Sequence, residues 1–173
     1  MIRQPNDPAG FPEKWVSFPA DYEMDPRVID DPSYAEEAMS GLTSIPLISI
    51  VMATDELFGL RNGIYSNSED RGDESERGAS VELIHPDGSK GFQEDYGVRV
   101  HGFGWRPHTS TSKHSFRLEF RERYGKAKLD YKLFEDAPVD RFDSIVLRSQ
   151  GSKGWQDFRD PEQTHYLHGF LWK

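Results

Sequence analysis

The chain has 173 residues, 35% hydrophobic and 13% aromatic, with a formal charge of −9 and no cysteine. The length suits one domain with a buried core, and modest hydrophobic content with many aromatics suits a β-rich soluble protein better than a disordered chain. Without cysteine, disulfides and thiol catalysis are excluded, and no apolar run is long enough to span a bilayer. The acidity argues against non-specific nucleic-acid binding, which needs a broad positive surface. The charge is unevenly laid out, however. Residues 1–98 carry seven Lys and Arg against twenty Asp and Glu, whereas residues 99–132 carry nine against three. Such a basic island either pairs with the acidic first half inside the fold or presents a surface for an anion.

Residues 1–31 hold Pro5, Pro8, Pro12, Pro19 and Pro26 among Phe11, Trp15, Phe18 and Tyr22. That proline density leaves few regular elements and predicts an extended arm that pins aromatics onto a neighbouring surface. The first residues lack the shape of a signal peptide. Asp31 is a plausible helix cap, Pro32 fits a first turn, and Glu36 and Glu37 favour the positive helix end. A short helix follows, closing at Gly41 and Leu42. The run IPLISIVMA at 45–53 is nearly all apolar and rich in Ile and Val, which predicts a buried strand. Residues 55–60 read as a turn, Asn62-Gly63 as a tighter one, and the charged stretch 66–78 as a surface loop.

Residues 79–120 carry the strongest pattern. Strands are predicted at 81–84, 97–101 and 113–120, with His85-Pro86-Asp87-Gly88 as a turn after the first. In the last strand His114, Phe116, Leu118 and Phe120 share one face, and Lys113, Ser115, Arg117 and Glu119 the other. In the strand before it, Val98 and Val100 oppose Arg99 and His101. If the apolar faces lie on the core, Arg99, His101, Lys113 and Arg117 gather on the opposite face. The loop between these strands has two glycines and the hydroxyl run Thr109-Ser110-Thr111-Ser112, and a basic face beside it suits an anion.

Residues 121–132 are basic and broken by Gly125; Tyr131, Leu133 and Phe134 return to the core, and 136–140 turn around Pro138. A last strand is predicted at 142–148, then a loop at 149–160. A helix at 161–173 begins at Asp160-Pro161 and carries the stripe Tyr166, Leu167, Phe170 and Leu171. The stripe is still running at Lys173, which predicts that sequence continues beyond it. Together these elements predict an α+β chain with a mostly antiparallel sheet. Residues 1–44 form the arm and short helix, and 45–173 an incomplete second unit ending in a helix. His101, His108 and His114 show no zinc-ligand spacing. There is no Gly-x-Ser-x-Gly elbow, and Gly102-Phe103-Gly104 stops short of a dinucleotide fingerprint.

Four stretches, SIPLISIVMATDELFGLRNGIY, ERGASVELIHPDGSKGFQEDYGVRVHG, KHSFRLEFRERYGKAKLDYKLF and RFDSIVLRS, resemble in order the N-terminal part of CotH kinase family proteins. The stretch PADYEMDPRVIDDPSY resembles the segment preceding that domain in large bacterial surface proteins. The resemblance implies a kinase N-lobe-like sheet, ATP and Mg2+ as cofactors, and phosphorylation of protein serine. Lys113 and Ser115 match the opening of the family's second strand, so Lys113 is expected to contact phosphate, with Arg117, Arg99 and His101 beside it. His101 stands where many members have Arg, and Phe103-Gly104 replaces a polar Asn-Ser pair. The family's catalytic acidic residues lie downstream of the strand matching 142–148, so this chain alone is not expected to be an active kinase. The implied partner is a protein substrate or a surface partner, with no nucleic acid. The implied parent protein is secreted or at the cell surface, and the chain a monomer. The alternative is a surface module that binds polysaccharide or protein through Trp105 and the exposed loops. A third reading is an incomplete remnant.

Overall fold

The computed structural model describes residues 10–20, 22, 30–110 and 113–149. Among these residues, nine short strands and two α-helices make an α+β fold dominated by antiparallel pairing. Strands β1 (Lys14–Trp15) and β2 (Phe18–Pro19) form a small hairpin, followed by helix α1 (Ala35–Ser44). The main sheet holds β3 (Leu47–Val51), β4 (Arg77–Ile84), β5 (Gln93–His101), β6 (Ser115–Glu119) and β9 (Ser144–Leu147), adjacent in that order. Helix α2 (Thr54–Phe58) follows β3, and β7 (Leu129–Asp130) pairs with β8 (Arg141–Phe142) outside the main sheet. The expected C-terminal helix at 161–173 lies outside the described residues, as does the loop from 150.

The register places Val98 opposite Leu118, Val100 opposite Phe116 and Leu118 opposite Ile145. With Ile48, Ile50, Val81 and Tyr96 these residues make the core face of the sheet. Each fully buried Val or Leu contributes roughly 1.5–3 kcal/mol by leaving water. The other face carries Ser49, Glu82, Asp95, Arg99, His101, Arg117 and Glu119. The alternation seen in the sequence therefore sorts polar from apolar across the sheet.

Several elements depart from expectation. Among the described residues the run at 45–53 forms an edge strand, β3, with β4 as its strand partner, and Leu47 and Val51 are 59% and 66% exposed. An apolar run gives the strand but not its place in the sheet. Helix α1 continues past Gly41 to Ser44, where the hydroxyls of Thr43 and Ser44 donate to the carbonyls of Met39 and Gly41, and Pro46 follows. Asp31 organises the turn before α1, its Oδ1 accepting from Ser33 N at 2.8 Å. The loop at 66–78 is not a free surface excursion, because Ser68, Ser75 and Glu76 are buried and Arg77 and Gly78 already belong to β4. The last strand is divided at Asp143 into β8 and β9.

The arm does pin aromatics. Trp15 is 3% exposed, tilted against Tyr65 at 4.8 Å, and donates from Nε1 to the Tyr22 hydroxyl at 3.0 Å. Phe11 packs edge-on against Phe58 at 5.1 Å. The turn at His85 is also as expected: Gly88 takes φ +73° and donates to the His85 carbonyl at 3.1 Å.

On the polar face Gly78 lies opposite Gly97, and the Tyr124 ring covers both. A Cβ on Gly97 would stand 2.2 Å from Glu76 Oε1 and 2.5 Å from Tyr124 Cε2. Gly97→Ala is therefore expected to cost roughly 1–3 kcal/mol through overpacking. Gly104, whose Cβ would meet nothing within 4 Å, should tolerate Ala within about 0.5 kcal/mol. Urea unfolding of the two variants measures the contrast.

Candidate functional site

The register of β5 on β6 sets Arg99 directly opposite Arg117 and His101 opposite Ser115. Three of the four residues singled out from the sequence, Arg99, His101 and Arg117, thus lie on one sheet face. Lys113 is exposed and lies two residues before β6, which starts at Ser115. Arg99 Nη2 donates to Glu119 Oε1 at 2.8 Å. Arg117 Nε approaches the same oxygen at 2.8 Å, but its N–H is not aimed there, so the contact is Coulombic. Arg117 Nη2 donates instead to Ser144 Oγ at 3.0 Å. Two guanidinium groups therefore share one carboxylate.

His101 sits among these cations. Burial pushes its pKa below the usual imidazole value, and the charges of Arg117, Arg106, Arg99 and Arg148 push it further. Its neutral ring can donate or accept one hydrogen bond without adding charge. Together Arg99, Arg117 and His101 provide what an oxyanion requires: fixed positive charge, oriented N–H donors and a neutral donor at the rim. Glu119 is the feature that opposes it.

Four other cations of the basic island, Arg121, Arg123, Lys126 and Lys128, pair with carboxylates elsewhere. Arg123 Nη2 donates to Glu76 Oε1 at 2.6 Å, and Arg121 Nη2 lies 3.4 Å from Glu76 Oε2, a side chain with no exposure. Arg121 also forms a two-pronged pair with Asp73 at 3.0 and 3.1 Å. Lys126 pairs with Glu94, and Lys128 with Asp143. The ion-pairing reading holds for this part of the island and the surface reading is left to the β5–β6 part.

Sequence reasoning missed two features. Arg106 is buried and donates to four carbonyls: Gly102 (2.7 Å), Ser68 (3.1 Å), Asp70 (2.6 Å) and Val100 (2.6 Å). It fixes the β5–β6 loop next to His101. In that loop His108 also meets His114, Nδ1 to Nε2 at 3.2 Å. His108 Nε2 donates to the Tyr65 carbonyl at 3.0 Å, and His114 Nδ1 faces the Trp105 carbonyl at 3.3 Å. Three such contacts need three protons, and two neutral imidazoles hold two. Burial nevertheless opposes the third, with the His108 charge second, and lowers the His114 pKa to about 4.

Among the described residues no three His, Asp or Glu side chains gather as metal ligands. A cavity of about 10 Å³ lined by Asn62, Asn67, Asp70 and Arg77 has room for one water and not for a nucleotide. Phe103 is 78% exposed with the Arg71 guanidinium 4.7 Å above its ring, whereas Trp105 is half-buried. No helix of the described residues is long and apolar enough to cross a membrane. No family model, curated protein or solved structure matches the chain.

The depressed His114 value sets a pH dependence. Above about 6.5 the ring is neutral folded and unfolded, and the linkage is silent. As pH falls from 6.5 towards 4 the unfolded chain takes up the proton first, so stability falls. The full shift corresponds to roughly 3 kcal/mol. Urea midpoints should drop between pH 7 and pH 4.5, and His114→Asn should flatten that drop.

Proposed function

We propose that the chain is an anion-binding β-sheet module whose β5–β6 face takes the phosphates of a nucleotide. It is read as the front part of a CotH-type phosphoryl-transfer protein. The observation that carries the reading is the cross-strand pair Arg99 and Arg117, two guanidinium groups sharing one oxygen of Glu119 beside a neutral His101. Cations held by a rigid sheet stabilise phosphoryl charge without reorganising. Lys113, exposed just ahead of β6, is the fourth member, reaching the ligand from the loop side. The partner in this reading is a protein substrate brought to the nucleotide in a secreted or cell-surface parent protein. Catalytic acids and the residues that hold Mg2+ would come from outside the described residues. The chain alone is read as a binder, not a transferase.

A second reading rests on Phe103. An aromatic ring left exposed on a glycine-flanked loop and capped by Arg71 suits a sugar ring or a partner side chain. It makes the chain a surface-binding module. Phe103→Ala, with Trp105→Ala beside it, should then abolish glycan or protein capture and leave anion binding intact.

Calorimetric titration with ATP and with pyrophosphate, each with and without Mg2+, tests the first reading. Arg99→Gln and Arg117→Gln should each weaken binding by about tenfold, the loss of one charge-assisted contact, with Lys113→Ala weaker in effect. Glu119→Gln should tighten binding, because it releases both guanidinium groups. The reading fails if wild type binds neither ligand, or if all variants bind alike.

A further inference from the structure

Among the described residues strand β3 is a sheet edge, and it lacks the features that protect natural edges. Natural edges are blunted by charge, proline within the strand, bulges or cover. Residues 45–53 carry no charge, and Pro46 lies ahead of the strand. The ladder with β4 runs unbroken from Leu47–Ile84 to Val51–Ser80, so there is no bulge. Ile45, Leu47 and Val51 are 60%, 59% and 66% exposed, and Ile84 beside Leu47 is exposed as well.

We infer that β3 is a docking edge for a second copy of this chain, pairing antiparallel with its own counterpart across a two-fold axis at Ser49. The sequence Leu47-Ile48-Ser49-Ile50-Val51 is self-complementary about its centre. Antiparallel pairing sets Leu47 opposite the partner's Val51 and Ile48 opposite the partner's Ile50, with the two Ser49 residues facing each other. Every cross-edge pair is then aliphatic or a small hydroxyl pair, and each such pair is favourable. No like charges meet along the paired strands, because Leu47 to Val51 carry none. On the core face Ile48 and Ile50 of each copy extend the rows that hold Leu83 and Val81. A closed two-fold contact satisfies both edges at once and stops there, which a heterologous contact would not. One five-residue strand pair lies at the small end of specific interfaces, so the dimer is concentration-dependent. This differs from the monomer expected from sequence and does not rest on the anion site.

Sedimentation velocity on the full chain across a concentration series tests this, with far-UV circular dichroism and thermal melts to confirm folding. Wild type should shift from monomer to dimer. Leu47→Lys combined with Val51→Lys places lysine against lysine across the axis and should weaken dimerisation at least about tenfold. Leu47→Lys combined with Val51→Glu places lysine against glutamate and should restore it. All four positions are exposed in the monomer, two per copy, so folding should be retained. The inference is overturned if wild type stays monomeric, if the double-lysine variant dimerises as wild type does, or if the lysine–glutamate variant fails to recover.

Discussion

The guanidinium of Arg106 holds the β5–β6 loop end of the sheet together. It is buried, and its N–H groups reach carbonyls of β5, of the loop after β5 and of the loop at 68–70. Ser68 Oγ returns a bond to the Arg106 carbonyl at 2.5 Å. A buried cation is costly unless its donors are satisfied; here four peptide dipoles replace water. The result is one rigid corner from two loops that have little apolar surface of their own. Burial holds His101 and His114 towards their neutral forms, and the charge of Arg106 adds a smaller push in the same direction on each.

The basic island divides by its ion pairing along the sheet. Past β6 its cations are spent on structure: Arg121 and Arg123 close over the buried Glu76 side chain, and Tyr124, under the Arg123 guanidinium, roofs the Gly78–Gly97 pair. That arrangement is mutually dependent. The glycines leave room for the ring, the ring covers their backbone, and the carboxylate beneath is tolerable because two guanidinium groups face it. Within β5 and β6 the balance is different. One carboxylate oxygen serves two arginines, so positive charge is left over where the strands meet the loop. Identical residue types separated by a few positions in sequence take opposite roles, because the strand register decides which carboxylate each can reach.

The alternation of 97–101 and 113–120 makes the two sheet faces legible from the residues alone, since period two follows from strand geometry. It puts Arg99, His101 and Arg117 on one side, and the pairing agrees. The turn at Gly88 and the arm with Trp15 are legible for similarly local reasons: backbone chemistry in one case, proline spacing in the other. What sequence does not carry is order across the sheet. Nothing in IPLISIVMA says whether one neighbour or two will flank it, so an edge strand reads as an enclosed one. Glu76 sits in a charged run that resembles solvated loop, and its burial follows from arginines some 45 residues later, a contact no local pattern encodes. The meeting of His108 with His114 escapes because strand alternation predicts faces within a strand and not how a loop folds back on one.

The edge and the cationic face are linked by geometry. An antiparallel pairing of two β3 strands places the two-fold axis perpendicular to the sheet, so each face of one copy continues as the same face of the other. Both Arg99–Arg117 pairs then look out from one side of a ten-stranded sheet. From β5 of one copy to β5 of the other there are five strand steps, roughly 24 Å at ordinary strand spacing. A ligand carrying a single phosphate group would see two independent sites. A surface presenting many anionic groups would meet both at once, and the second contact would form at high effective concentration. Weak self-association and a modest charge excess, each marginal alone, would in that arrangement combine into selective binding of multiply charged targets.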